Sequence, residues 1–120
     1  RYLDQSKIIN WPISRHLLSK FANHLARILL GIPIKDYTNG FRFYDRKASK
    51  HIIKKCSKSK STGFILLSEI AMELYINNFK IDERPTIFVN RTRGESKASL
   101  SEIINSFFGL LKLFLKYKLF

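Results

Sequence analysis

Cysteine is nearly absent from this sequence: Cys56 is the only one in 120 residues. A disulfide framework within the chain, a thiolate zinc cluster and an iron–sulfur site are therefore excluded. Lys54, Lys55 and Lys58 could lower the pKa of that thiol, but it sits in no catalytic motif and reads as a solvent-facing helix residue. Histidine supplies no substitute. His16, His24 and His51 are scattered, and the first two have neither a carboxylate nor a third ligand beside them. Glycine loops that cradle phosphate are missing, since neither GxGxxG nor GxxxxGK[ST] occurs. Asp-x-Asp, a carboxylate pair that commonly holds a magnesium nucleotide, is missing too. No charged n-region, apolar h-region and cleavage site can be read at the start. The first residue is Arg1 and the one methionine is Met72, so the expectation is a piece of a longer chain.

Acidic side chains are the other scarcity. Nine Asp and Glu face 22 Lys and Arg, a formal charge of +13. With 45% hydrophobic residues this is not a disordered basic tail, and one compact domain is the upper bound. Such a charge needs an anionic partner: nucleic acid, an anionic membrane surface, or phosphate groups on a substrate.

Periodicity supplies the elements. Residues 1–13 read as irregular or extended. Ser14 is placed to cap a helix to Leu30 whose apolar face carries Leu17, Leu18, Phe21, Leu25, Ile28 and Leu29. Gly31 stands at its C′ position, with Pro33 beyond. Residues 36–40 are turn-rich, and Phe41 to Tyr44 alternates like a short strand. A basic helix over 46–56 turns Ile52 and Ile53 inward, and a second apolar helix runs from about Ile65 to Asn78. Phe79 to Asn90 reads as a strand, with Pro85 marking an edge or bulge. Ser99-Leu100-Ser101-Glu102 is a capping box for a last helix. Its broad face holds Ile103, Ile104, Phe107, Phe108, Leu111, Phe114 and Leu115, opposite a polar stripe with Gly109, Lys112 and Lys116. To Phe120 it would be about 30 Å long, but its lysines argue against a buried span. It suits either a membrane interface or a docked position in a larger core. The element order argues an α/β layered piece.

Informative residues bunch in three places. Arg15 and Ser19 lie four apart on one helical face, after Arg1-Tyr2 and Trp11-Pro12, where a guanidinium and a hydroxyl suit a phosphate. Asp36-x-Thr38-x-Gly40-Phe41-Arg42-x-Tyr44 follows. Arg91-Thr92-Arg93-Gly94-Glu95-Ser96-Lys97 is a basic loop suited to a diphosphate. Singly each has an ordinary reading: a surface arginine, a turn aspartate, a salt-bridge partner, a solvated loop.

Together, and in this order, with Gly31-Ile32-Pro33, Glu69 and the Pro85 to Arg91 strand, these elements resemble family 2 glycosyltransferases that act on polyprenyl phosphates, the dolichyl-phosphate mannosyltransferase type. The resemblance runs along essentially the whole chain. It implies the acceptor-side, C-terminal half of a Rossmann-like GT-A catalytic domain over 1–98, with an amphipathic, membrane-associated helix over 99–120. It implies transfer of a sugar, mannose foremost, from a nucleotide sugar such as GDP-mannose to a polyprenyl or dolichyl phosphate, with inversion. Arg1, Arg15 and Ser19 would hold the acceptor phosphate, and Arg91, Arg93, Ser96 and Lys97 the donor diphosphate. Asp36 and Arg42 would be catalytic, and Glu69 would support the site from a helix. A divalent metal, Mg or Mn, is expected on ligands in an absent N-terminal half, with no metal held by the residues present. The chain alone should therefore not activate a nucleotide sugar. The expected place is the cytoplasmic face of a membrane, peripheral or anchored beyond Phe120, with no nucleic acid partner. Asn39, where the family often has a smaller residue, and the absence of glycine in the 4–10 loop depart from the pattern. The alternatives are a glucosyl or other transferase on undecaprenyl phosphate, and a basic nucleic-acid- or membrane-binding module without catalysis.

Overall fold

The computed structural model describes residues 2–9, 11–61, 63–89 and 100–118, with side chains of the last stretch from Ile104 onward. The described elements are β1 (Lys7–Ile9), α1 (Ile13–Leu30), α2 (Arg46–Cys56), α3 (Gly63–Ile76), β2 (Ile87–Val89) and α4 (Leu100–Lys118). β1 and β2 pair in parallel, Lys7 opposite Ile87 and Ile9 opposite Val89. Three helices lie between them in sequence, as a parallel pair requires a crossover. The α/β class is as expected. The two strands among the described residues are fewer than a Rossmann sheet needs.

α1 begins two residues earlier than the Ser14 cap predicts. Pro12 is the N-cap; its carbonyl accepts from the amides of Arg15 and His16, and no side chain caps the helix. Proline is pre-set for this place, and Ser14 becomes a first-turn residue. Gly31 ends the helix in the left-handed region, φ 71°, and donates to the Arg27 carbonyl. A side chain there would be strained and would also crowd the Lys118 ammonium. α2 is capped by Asp45, whose carboxylate accepts from the Ala48 amide at 2.7 Å.

The core runs through Ala26, Leu30, Ile32, Ile34, Tyr37, Ala71, Met72, Leu110 and Leu113. α1 packs on α4, α4 on α3, and α3 on α2. The buried line of α1 is Asn23, Ala26 and Leu30. Half of its predicted apolar face therefore points outward: Leu17, Phe21 and Ile28 are 62–66% exposed. Small Ala26 and hydrogen-bonding Asn23 take the inner line that the apolar pattern assigns elsewhere. α4 is turned in a similar way. Gly109, Leu110 and Leu113 are on the docked side, while Ile104, Phe107, Phe108 and Leu115 are exposed. In α2, Ile53 is exposed and Cys56 is buried, contrary to expectation. Burial, with Glu69 and Glu73 adding to it, pushes the Cys56 thiol up in pKa. The neighbouring lysines do not activate it.

No strand forms at Phe41 to Tyr44. The Arg42 side chain is bonded back to Asn39 and Tyr37, and the Phe41 amide donates to Asn39 Oδ1, which curls the segment. The strand expected over Phe79 to Asn90 is only Ile87–Val89 among the described residues, beginning after Pro85. The 98/99 domain boundary and the Ser99 cap lie outside the described residues.

Candidate functional site

The site is assembled around the inner line of α1. Asn23 is 2% exposed and sits one turn after Ser19. Its Nδ2 donates to the Ser19 carbonyl at 2.9 Å and to Thr38 Oγ1 at 3.4 Å. Its Oδ1 accepts from the Tyr37 amide. One amide side chain thus fastens the helix bearing Arg15 and Ser19 to the Asp36–Thr38 turn. The turn closes on itself: Asp36 Oδ1 accepts from both the amide and the hydroxyl of Thr38, each at 3.2 Å. This is the short Asx arrangement expected of an aspartate two residues before a threonine. Tyr37 then points into the core and donates to the Ile32 carbonyl at 2.7 Å. Burial, only partly offset by that bond, raises its phenol to about 12.

Ser19 Oγ accepts from the Tyr2 hydroxyl, which draws the N-terminal segment onto α1. Arg15 lies one turn earlier, its guanidinium 4.4 Å from the centre of the Trp11 ring. Trp11 also meets Phe88 of β2 edge-on at 5.2 Å. The indole therefore connects the sheet to the first turn of α1 and orients the arginine by a cation–π contact.

Arg42 has a framework position. Nε donates to Asn39 O at 2.9 Å, Nη1 to Leu67 O at 2.8 Å and Nη2 to Tyr37 O at 3.0 Å. These bonds tie the 36–44 segment to α3. Glu69, on α3, is 3% exposed. It accepts from Ser59 Oγ at 2.6 Å and from Lys116 Nζ at 3.1 Å, joining the α2–α3 loop to α4. Burial alone would raise its pKa, but bonds from Ser59, Lys116 and Ser61 outweigh that and hold the carboxyl below its ordinary value. Glu73, one turn on, accepts from the Tyr117 hydroxyl at 2.6 Å. Burial and that carboxylate push the Tyr117 phenol up.

The structure thus brings Ser19, Asp36 and Arg42 into one bonded unit and sets Arg15 a turn from Ser19. Glu69 makes its bonds on the α4 side. Arg1, Arg91, Arg93, Ser96 and Lys97 lie outside the described residues. Asn23 is the member that sequence reasoning missed. Its signal was a lone amide four residues after Ser19, on the side of α1 away from Leu17 and Phe21. No group of three His, Cys, Asp or Glu side chains that could hold a metal lies among the described residues. The described residues therefore do not assemble a metal centre. No helix among the described residues is long and apolar enough to cross a membrane.

Comparison with known proteins agrees with the resemblance read from the motifs. The chain is 36% identical over 108 residues to the polyprenol monophosphomannose synthase of Mycolicibacterium smegmatis, covering 90% of this chain and 40% of that protein. It is 33% identical over 99 residues to the undecaprenyl-phosphate mannosyltransferase of Micrococcus luteus, covering 82% of this chain and 40% of that protein. No family model matches the chain. No solved structure matches it either. The chain is thus a relative of proteins named for polyprenol monophosphomannose synthesis and undecaprenyl-phosphate mannosyl transfer, and spans about two fifths of their length.

Proposed function

We propose that this chain is the acceptor-side part of a glycosyltransferase of GT-A type that moves mannose from a nucleotide sugar to a polyprenyl phosphate. The observation that carries the reading is the fastening of the Ser19 helix to the Asp36–Thr38 turn through Asn23, in a chain related to two mannose-transferring proteins. Arg15 and Ser19, with Arg1, hold the acceptor phosphate. A phosphate monoester has a second pKa of about 6 and is largely dianionic at neutral pH, so it needs little activation. What the protein supplies is orientation toward the sugar. A phosphate oxygen attacks the anomeric carbon as the bond to the donor diphosphate breaks, which inverts that carbon. The leaving nucleoside diphosphate takes the bonding electrons, and Arg91, Arg93, Ser96 and Lys97 stabilise its charge. Asp36 stands near the acceptor oxygen, and Arg42 keeps the Asp36 segment in shape.

Recognition of the nucleotide base of the donor, GDP-mannose or a similar nucleotide sugar, and the divalent metal are assigned to a part of the protein outside this sequence. The chain alone is accordingly inactive in transfer. A lipid acceptor requires a membrane surface, at the cytoplasmic face in this reading. Outward apolar side chains on α1 (Ile13, Leu17, Phe21, Ile28) and α4 (Ile104, Phe107, Phe108, Leu115) support a place at a membrane surface. No observation favours glucosyl transfer or nucleic-acid binding.

The test uses this chain joined to a donor-binding part, with transfer from GDP-mannose to polyprenyl phosphate as the assay. Arg15→Ala is expected to lower kcat/KM for the lipid phosphate by at least about thirtyfold, the scale for truncating one partner of a desolvated charge pair. Nucleotide-sugar affinity should be unchanged. An equal loss of both would contradict the assigned role.

A further inference from the structure

α1 carries cations that the acceptor reading does not use. The helix contains no acidic residue in its eighteen. Lys20, His24 and Arg27 follow at i, i+4 and i+7 on one side of it. Arg27, in the last turn, is favoured there by the helix dipole; Lys20, in the middle of the helix, is not. Beyond the helix end, Lys35 turns back to the same place. The Arg27 guanidinium lies within 3.5 Å of the Lys35 carbonyl. These four residues, with Tyr2, Phe21 and Asn23, line a pocket of about 550 Å³. It is an open concavity on the face of α1. No carboxylate lines it. Glu83 accepts from the Lys35 amide at 2.8 Å.

The pocket adjoins the acceptor site through Asn23, which lines it and also bonds Ser19 and Thr38. Arg15, Ser19 and Asp36 do not line it. Tyr2 stands between the two, its ring in the pocket wall and its hydroxyl on Ser19. Phe21, 62% exposed, and Leu17 leave an apolar margin on the same side of α1. Repelling cations held around a concavity are stabilised by an anion, and charge-assisted bonds to phosphate oxygens are the strong form of that contact.

We propose that the pocket formed by Lys20, His24, Arg27 and Lys35 is an anion site of its own, taking a phosphodiester or diphosphate group. The group is either the headgroup of an anionic phospholipid or a free diphosphate. The proposal does not depend on sugar transfer, and its test needs no catalysis.

The full chain, isotope-labelled, is titrated with inorganic pyrophosphate at low salt and followed by amide shifts. In parallel it is co-sedimented with equimolar phosphatidylcholine–phosphatidylglycerol vesicles and with phosphatidylcholine alone. The Lys20→Gln/Arg27→Gln pair is compared with Lys54→Gln/Lys55→Gln, which removes the same charge from exposed positions on α2. Shifts confined to residues 20–27 and 35, with the pocket pair weakening binding at least about tenfold and the α2 pair less than about twofold, are expected. Pocket-dependent binding of the anionic vesicles alone identifies the headgroup; pocket-dependent binding of pyrophosphate identifies the free diphosphate. Equal weakening by both pairs, or no saturable binding of either probe, overturns the proposal.

Discussion

Asn23 is the residue on which the site's geometry turns. It satisfies the buried Tyr37 amide and fastens the Thr38 hydroxyl and Ser19 carbonyl with one side chain. Replacing it by alanine strands the Tyr37 N–H in the core. The expected loss is about 1–3 kcal/mol, read as a lower urea midpoint with unchanged slope. Little loss would mean that water replaces the amide and that the turn holds itself. The Asp36-x-Thr38 spacing announced the turn, and the Arg15–Ser19 spacing announced the shared face. Asn23 stayed hidden because an amide on a helix is usually a surface residue, and its partners are fourteen and fifteen positions away. Arg42 shows the same limit from the other side. Its sequence motif announces an important residue, but only the fold shows three backbone carbonyls at its guanidinium.

At the scale of elements, the four described helices were legible to within two residues, and α2 matched at both ends. Helix periodicity is local, and capping residues mark the limits. Which side of a helix faces in is not local. Leu17 and Phe21 are as apolar as Leu30, and what turns Leu30 inward is the fit of Ala26 and Asn23 against the 32–38 segment. Strand identity failed for a related reason: Phe41 to Tyr44 has strand composition but is bent by its own hydrogen bonds. The crossing of α3 and α4 offers a direct test. A β-carbon at Gly109 would lie 2.8 Å from Ile65 Cγ1. β-Branched Ile65 has little freedom to move aside. Gly109→Leu is expected to cost about 1–3 kcal/mol by overpacking, despite leucine's better helix propensity, and thermal unfolding measures it. A neutral or stabilised variant would show that the two helices separate without loss.

Over the whole molecule, the charge of +13 meets a small number of buried carboxylates that hold helices together. Glu69 has a folded pKa below its ordinary value, so its contribution is present above about pH 4.3, the unfolded value. It is lost as pH falls from there through the lower folded value. Over the same range the remaining acids neutralise and cationic self-repulsion grows. Acid unfolding followed by circular dichroism should therefore begin near pH 4, and Glu69→Gln should flatten the pH dependence there while lowering stability at pH 7. An unaltered acid profile in that variant would remove Glu69 from the account. A different consequence follows from the β1–β2 pair. Lys7 and Ile87 are neighbours across a closed ring of chain, 80 positions apart. Closing so long a flexible loop costs about 4 kcal/mol in chain entropy before any constant is added. Three residue pairs with net hydrogen-bond contributions of about 1 kcal/mol each fall short of that. The strands therefore meet because the helical layer has already brought the two ends together. The sheet records the assembly of α1, α3 and α4 rather than causing it.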